Sequence, residues 1–488
     1  MSGQAALLIA LSLLFIVGPL LLARHRSRTL SGFLVSERSL GGVVSAFSYS
    51  TAAVSAGLFI GGAGFAYTYG WAGATYQLGA LTGIFLTWLL VAPRVRKIAA
   101  AVGAMSTPKF LAERFECPAF RTITSVLTAV FVLPMIVVQF RGAGLLFKDY
   151  LGLDYTWSII LFGALVGGFT ATGGSFAVSY LGTIQGVVMV IGSAVCVMAG
   201  LMEVGGLQRL NAELVRADAE LVKFVGEVPW PVWWDLLVIF GLAQFSNPHL
   251  IPRFFSLRDG QAVRVALPLT VSMNCLWVFT AVLIGLVARV QYPGMASGDQ
   301  AMPVFMRSVN PAVAFVIMLA LVSAIISTID TLLLAVGSNL SHDVIKGFLW
   351  TGLSERGELL IAKLSMLVLC AAAIQLSLLT LPLITLINSF AMGAFILIFG
   401  LPLVMGIYFR RATKEAALAA AIGGPAIYVS WKYWLVPLTG IGEMIASLAI
   451  IMPAVFLISL LTRPASQRNL ERFELGIEGR RSEIGSAR

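Results

Sequence analysis

The sequence predicts an all-α integral membrane protein of about 13 transmembrane helices, and three observations carry that prediction. Hydrophobic residues fill 58% of the 488 positions and charged ones only 11%, against about 25% charged in a soluble globular chain. Four stretches, 41–93, 155–202, 308–329 and 364–409, contain no Asp, Glu, Lys or Arg. A spanning helix takes roughly 20 apolar residues, so three of these stretches can hold two crossings each. The apolar runs are also continuous. A transmembrane barrel would alternate apolar and polar residues over segments of about 10, whereas a continuous run in lipid must satisfy its backbone within a helix.

Taken in order, the predicted spans are 5–23, 41–68, 71–92, 121–148, 156–173, 177–202, 232–250, 262–289, 311–339, 358–380, 382–408, 414–433 and 438–462. The first ends in Arg24-His25-Arg26-Ser27-Arg28 and lacks a basic n-region, which predicts a spanning helix rather than a cleaved signal. Lys and Arg gather in alternate loops: at 24–28, at 94–114, at 253–264, at 346–363, at 410–414, and again after Leu461. That bias places the N-terminus outside and the C-terminus in the cytoplasm. It also accounts for the net charge of +10 without invoking nucleic acid. Four scattered cysteines, Cys117, Cys196, Cys275 and Cys370, have no metal-like spacing and read as reduced and structural.

The spans suggest a duplication. Residues 1–30 form an extra N-terminal helix, and 41–203 hold five spans. The polar segment 204–231 is an extracellular loop, and 232–408 hold five more spans. Two further helices occupy 409–462, and a basic tail 463–488. Five is odd, so a second copy would sit upside down, the inverted-repeat plan of many secondary transporters. The first span of each half is interrupted. One runs through Gly57, Gly61, Gly62 and Gly64; the other carries Ser246-Asn247-Pro248-His249, where proline removes a backbone donor. Broken helices at matching positions point to a binding site.

On the span 311–339, Ala324, Ser327 and Thr328 stand at i, i+3 and i+4 and share a face. Their hydroxyls, with unwound carbonyls at Thr51 and Val54, can supply oxygens to a hard cation; the plain alternative is hydroxyls bonded back to their own helix. Ser55, Gln77, Gln244 and Asn247 are neutral polar residues at or beside the broken helices, suited to a polar solute in a mostly apolar pocket. Arg141 lies in an otherwise apolar span, where an ionised group is a functional candidate. It can pair with a substrate carboxylate or snorkel to the surface. Asp330 can serve cation exit or proton coupling, or face cytoplasmic water. Asp235, beside Trp233 and Trp234, reads as an outer interface marker, and His25, His249 and His342 read as lying at membrane edges. No Walker motif, nucleophile elbow or HExxH occurs, which argues against ATP-driven transport and against an enzyme.

Several runs together resemble the sodium:solute symporter family. They are Phe33–Gly41, Ser55–Gly62, Gly64–Gly70, Ala171–Val178, Asn247-Pro248-His249 with Arg253-Phe254, and Ser327-Thr328-Ile329-Asp330 with Asp343. The resemblance implies a leucine-transporter-like 5+5 core and Na+ as coupling ion. Its sodium site would fall on the carbonyls of Thr51, Val54 and Ala324 and the hydroxyls of Ser327 and Thr328. Two positions depart from the family's patterns. The acid of a Trp-Thr-Asp run is absent at Tyr180-Leu181-Gly182, and the Asp of proline carriers is Ala53. The first-helix pattern and Gln139-x-x-Gly-Ala-Gly look closer to the pantothenate and acetate/monocarboxylate branches. The expectation is a multi-pass symporter, in the inner membrane if bacterial, importing a small organic anion with Na+ and needing no obligatory protein partner. The alternatives are a proton-coupled or neutral-solute (amino acid or sugar) symporter and a transporter-like receptor.

Overall fold

The structure, a computed structural model, describes residues 39–379 and 382–478. The predicted span 5–23 and the tail beyond 478 fall outside the described residues. Eighteen helical elements follow in order. α1 is Gly42–Ala53 and α2 is Gly57–Tyr69, two halves of one span bent by 55°. α3 is Ala72–Val102, α4 Thr107–Phe115, α5 Pro118–Leu151, α6 Tyr155–Thr172 and α7 Val178–Val204. α8 is Leu207–Ala217, α9 Trp230–Ala243, α10 Ile251–Phe255, α11 Gly260–Gln291 and α12 Ala301–Ser308. α13 is Pro311–Leu349, α14 Glu355–Ser377 and α15 Ile384–Tyr408. α16 occupies 414–439, followed by α17, Glu443–Leu461, and α18, Gln467–Glu478.

Local chemistry sets the boundaries. Ser106 accepts from the Lys109 N–H to open α4, with Pro108 in the first turn; Asp154 and Asp259 do the same for α6 and α11. These side chains satisfy amides that a helix start leaves unpaired. Gly174, at φ 67°, separates α6 from α7, a backbone state that glycine adopts without a Cβ clash.

Among the described residues, nine helices are long and apolar enough to cross a membrane, ten with the bent pair as one span. The expected thirteen are not reached, for three reasons. The first lies outside the described residues. α9 stops at Ala243, short of a full crossing, because the chain unwinds before Pro248. α16 is broken into short pieces by wide π-type turns at Ala419–Gly423 and Trp431–Leu435. The remaining predicted spans each coincide with a helix within a few residues, apart from the C-terminal ends of α3 and α13, which each run ten residues further.

α5, α11, α13 and α15 are buried deepest, while α14 turns mostly outward. α3 and α9 touch backbone to backbone: a Cβ added at Gly79 would lie 2.1 Å from the Leu237 carbonyl oxygen, and one at Gly83 would lie 2.0 Å from that of Gly241. Small residues spaced by four permit this approach. The loops rich in Lys and Arg, between α3 and α5, after α10, after α13 and after α15, share one end of the molecule, called here the basic end.

Candidate cation and solute site

Both breaks are present. α1 closes with the Val54 N–H on Ser50 O at 3.0 Å, and helical bonding resumes with the Leu58 and Phe59 amides on Ser55 O at 3.0 and 3.1 Å. Val54 itself is extended (φ −107°, ψ 127°). Two amides freed by the break find side chains: Ala56 N–H donates to Gln139 Oε1 at 3.0 Å and Gly57 N–H to Ser55 Oγ at 3.0 Å. A buried amide without a partner would cost about 1–3 kcal/mol, so Gln139, fully buried on α5, props the break open. In the second half, α9 gives way to turns in which Ser246 and Asn247 amides both reach Ala243 O at 3.1 Å. The Asn247 side-chain amide (Nδ2 and Oδ1) and Gln244 Oε1 are buried with no hydrogen-bond partner among the described residues.

The first break faces the hydroxyl pair of α13. Ser327 Oγ lies 2.9 Å from the Thr51 carbonyl oxygen and 3.0 Å from that of Ala324. Thr328 Oγ1 lies 3.2 Å from the Val54 oxygen and 3.1 Å from the Ala324 oxygen. Five oxygens thus converge, the two from the break lying 276 and 274 positions from the hydroxyls they meet, all on residues at most 3% exposed. None is a carboxylate. The hydroxyl protons bridge to carbonyls here; their lone pairs remain available, so the set fits a desolvated monovalent cation held by neutral oxygens. α7 adds only backbone, passing α1 at Gly182, where a Cβ would lie 3.1 Å from Thr51 Oγ1.

The remaining candidates are distributed around this cage. Gln77 is buried and its Nε2 donates to Tyr76 Oη at 2.9 Å, near Gly62 of α2. The glycine face of α2 also meets Asn388 at Gly57 and Thr385 at Gly61 on α15; Asn388 Oδ1 and Thr385 Oγ1 are buried without partners among the described residues. Sequence reading missed Gln139, Thr385 and Asn388 as site residues; their signal was polarity inside a span, which does not say which way a side chain faces. Arg141 lies at the end opposite the basic loops. Its Nη1 donates to Pro382 O at 2.6 Å and its Nη2 is 3.5 Å from Asp299 Oδ2, so an acid of the protein already neutralises it.

Asp330 sits in a buried polar cluster on the basic side of the cage. Thr170 Oγ1 donates to its Oδ1, and Arg253, bonded to Ser179 Oγ at 3.1 Å, supplies a nearby positive charge. Beyond it a cavity of about 30 Å³ is lined by Ser106, His249, Arg253, Thr331, Ser338 and Asn339 among others, room for a water or two. Three residues singled out in the sequence take on definite settings, while His25 lies outside the described residues. His249 is 3% exposed, interior because the second break folds it inward. His342 is likewise buried, its Nδ1 2.6 Å from Glu358 Oε1. Asp235 has a more specific task than marking an interface: it accepts from the Met444 and Ile445 amides at 2.9 and 3.1 Å and so caps α17 from another helix.

A helical membrane fold with two broken spans meeting beside an oxygen cage defines the class, a leucine-transporter-type secondary transporter. The sodium:solute symporter family model matches residues 33–424, and the chain belongs to that family, as a sodium-coupled transporter rather than an enzyme. The high-affinity proline transporter PutP of Bacillus subtilis is 28% identical over 465 residues, covering 92% of this chain and 97% of that protein. The osmoregulated proline transporter OpuE of the same organism is 27% identical, covering 91% and 92%. Among solved structures, a Na+-coupled sialic acid symporter in a substrate-bound outward-open state superposes with a TM-score of 0.80 at 18% identity, covering 95% of this chain and 98% of that one. A nucleobase-cation-symport-1 family transporter in a closed conformation gives 0.57 at 14%, covering 91% and 98%.

Proposed function

We propose that this protein imports a small carboxylate-bearing organic solute together with Na+. Alternating access would run between two inverted halves, 41–203 and 232–408. Na+ binds the Thr51, Val54 and Ala324 carbonyls and the Ser327 and Thr328 hydroxyls. The carrying observation is the convergence of two α13 hydroxyls on the carbonyls exposed by the α1–α2 break. The basic end faces the cytoplasm, following the Lys/Arg bias, with the N-terminus outside and 204–231 extracellular, in the cell membrane, the inner one if the host is bacterial.

The solute carboxylate lies near the start of α2, the positive end of a half-helix, while the Ala56 and Gly57 amides stay bonded to Gln139 and Ser55. Ser55, Gln77, Gln244 and Asn247 complete the pocket, with Thr385 and Asn388 from α15. These groups are uncharged and Arg141 is paired, which favours a net-neutral amino or imino acid over a free organic anion. The proline-transporting relatives point the same way. A monocarboxylate or pantothenate is the second reading, favoured by Ala53 standing where proline carriers have an acid and by the Gln139-x-x-Gly-Ala-Gly run.

The test is uptake into proteoliposomes with Na+ and H+ gradients imposed separately, over proline, acetate, pantothenate and glucose. Uptake driven by Na+ alone is expected. Ser327→Ala with Thr328→Ala removes two contacts to a charge, each worth about 1.5–3 kcal/mol, so the Na+ half-saturation concentration should rise at least tenfold. An unchanged Na+ dependence sinks the cage assignment. Uptake driven only by a proton gradient, and lost in Asp330→Asn, moves coupling to Asp330.

A further inference from the structure

The proline-bracketed helix α4 is held at both ends by chain segments far away in sequence, and its C-terminal partner is α18. The contact is reciprocal. Asn469 Nδ2 of α18 donates to the Glu113 and Arg114 carbonyls at 2.8 and 3.1 Å, pairing two of the acceptors that a helix C-terminus leaves open. Glu116, the left-handed residue that ends α4 at φ 50°, accepts in turn from the Ser466 amide at 2.9 Å and the Ser466 hydroxyl at 2.5 Å. Ser466 directly precedes α18, and its Oγ also takes the Asn469 amide at 3.3 Å. Each helix therefore caps the other. Phe473 is buried against Phe110, ring centroids 6.0 Å apart, and under the Arg114 guanidinium at 5.8 Å. Arg410 pairs with Glu474 at 2.7 Å.

α4 connects this contact to the moving parts. At its start, Ser106 Oγ donates to Asp343 Oδ2 at 2.6 Å, in the last turns of α13, and Asp343 is held by Arg121 at 2.5 Å. The Thr107 hydroxyl lies 3.4 Å from the Pro248 carbonyl, in the second break. Arg114 Nε donates to Gly406 O at 2.7 Å, near the end of α15. Met105 and Ser106, the residues that lead into α4, line the cavity that also exposes His249 and Arg253. A shift of α4 therefore changes the wall of that cavity.

We propose that α18 is a latch on the transport cycle: seated on α4, it holds the cavity at the basic end narrow, and its release eases opening there. A side-chain cap is worth about 1 kcal/mol, so removing both caps should shift the closed-to-open ratio by about fivefold to thirtyfold. The idea rests on the proposed function only in that solute leaves through this cavity.

Two arms test it in nanodiscs. In the release arm, Ala335→Cys reports on the cavity wall, with Cys117 and Cys275 replaced by Ser. Asn469→Ala with Glu116→Gln is expected to expose the peptide bond after Arg468 to trypsin and to speed maleimide labelling at position 335 at least fivefold. This readout needs neither Na+ nor solute, so it stands apart from the transport assignment. Tryptic release without faster labelling overturns the latch, as does a tail that stays protected. In the lock arm, Glu116→Cys with Ser466→Cys is oxidised to a disulfide in the otherwise native chain. Reconstituted uptake should fall at least fivefold and recover on reduction. Undiminished uptake with the disulfide verified by mass also overturns it.

Discussion

Asp299 shows how much a single side chain can couple. It lies in the turn Gly298–Gln300, outside the spans, 1% exposed, and touches three elements at once. Its Oδ2 accepts from the Ile384 amide at 3.2 Å at the start of α15 and faces Arg141 of α5, while its turn packs on Gly64 of α2. Burial raises its carboxyl from 3.8 to about 6, against the smaller lowering effects of the Ile384 amide and Arg141. An acid raised in the packed state binds its proton there at pH values where the unfolded chain has lost it. Its contribution is thus complete below about pH 4 and is lost as pH rises through about 6. The thermal midpoint of the purified protein should therefore fall between pH 5 and pH 7 by more in the wild type than in Asp299→Asn. The difference amounts to on the order of 1–3 kcal/mol. Parallel pH curves for the two proteins would remove this role. Arg141 belongs to the same unit: sequence marked it as a costly charge in an apolar span, and the packing gives it a partner within the chain.

At the scale of elements, helices were legible because charges and prolines punctuate apolar runs long enough to cross lipid. The two breaks were legible for the same kind of reason, a glycine run in one and Asn247-Pro248 in the other. The α13 hydroxyls were visible with Ala324 as an i, i+3, i+4 set on one helical face, but their partners at Thr51 and Val54 came into view as a specific site through the family resemblance. α4 and α18 were not predicted as helices. Both are short and amphipathic, and what fixes them is a contact between positions 350 apart, which no local pattern carries. The wide turns in α16 run into Gly424-Pro425 and Val436-Pro437, punctuation that the span reading did not use. Close packing of α3 on α9 was equally hidden, since Gly79 and Gly83 read as ordinary membrane glycines. Their role is testable. Gly83→Ala pushes a methyl into backbone, which cannot yield as a side chain can, at a cost of about 1–3 kcal/mol. Its thermal midpoint should drop by several degrees, whereas Gly168→Ala, where a Cβ would meet nothing within 4 Å, should leave it unchanged.

The whole molecule must move charge, and that separates the two readings of its solute. The cage is built from neutral oxygens, so a bound Na+ brings its full charge into the membrane without a counter-ion from Ser327, Thr328 or the three carbonyls. If a net-neutral amino or imino acid travels with one Na+, each cycle carries one positive charge inward. A membrane potential of 100 mV, negative inside, then contributes about 2.3 kcal/mol per cycle, close to a fiftyfold concentration of solute at about 1.4 kcal/mol per tenfold. If the solute is a monocarboxylate moving one for one with Na+, the charges cancel and the potential contributes nothing. A potassium diffusion potential imposed by valinomycin, at equal Na+ on both sides of proteoliposomes, should therefore drive accumulation of the true substrate in the first case. No accumulation under potential alone, with uptake still driven by a Na+ gradient, would identify an anion carried electroneutrally. The pocket would then need to neutralise the extra charge by Na+ itself, lying beside the solute at the α1–α2 break.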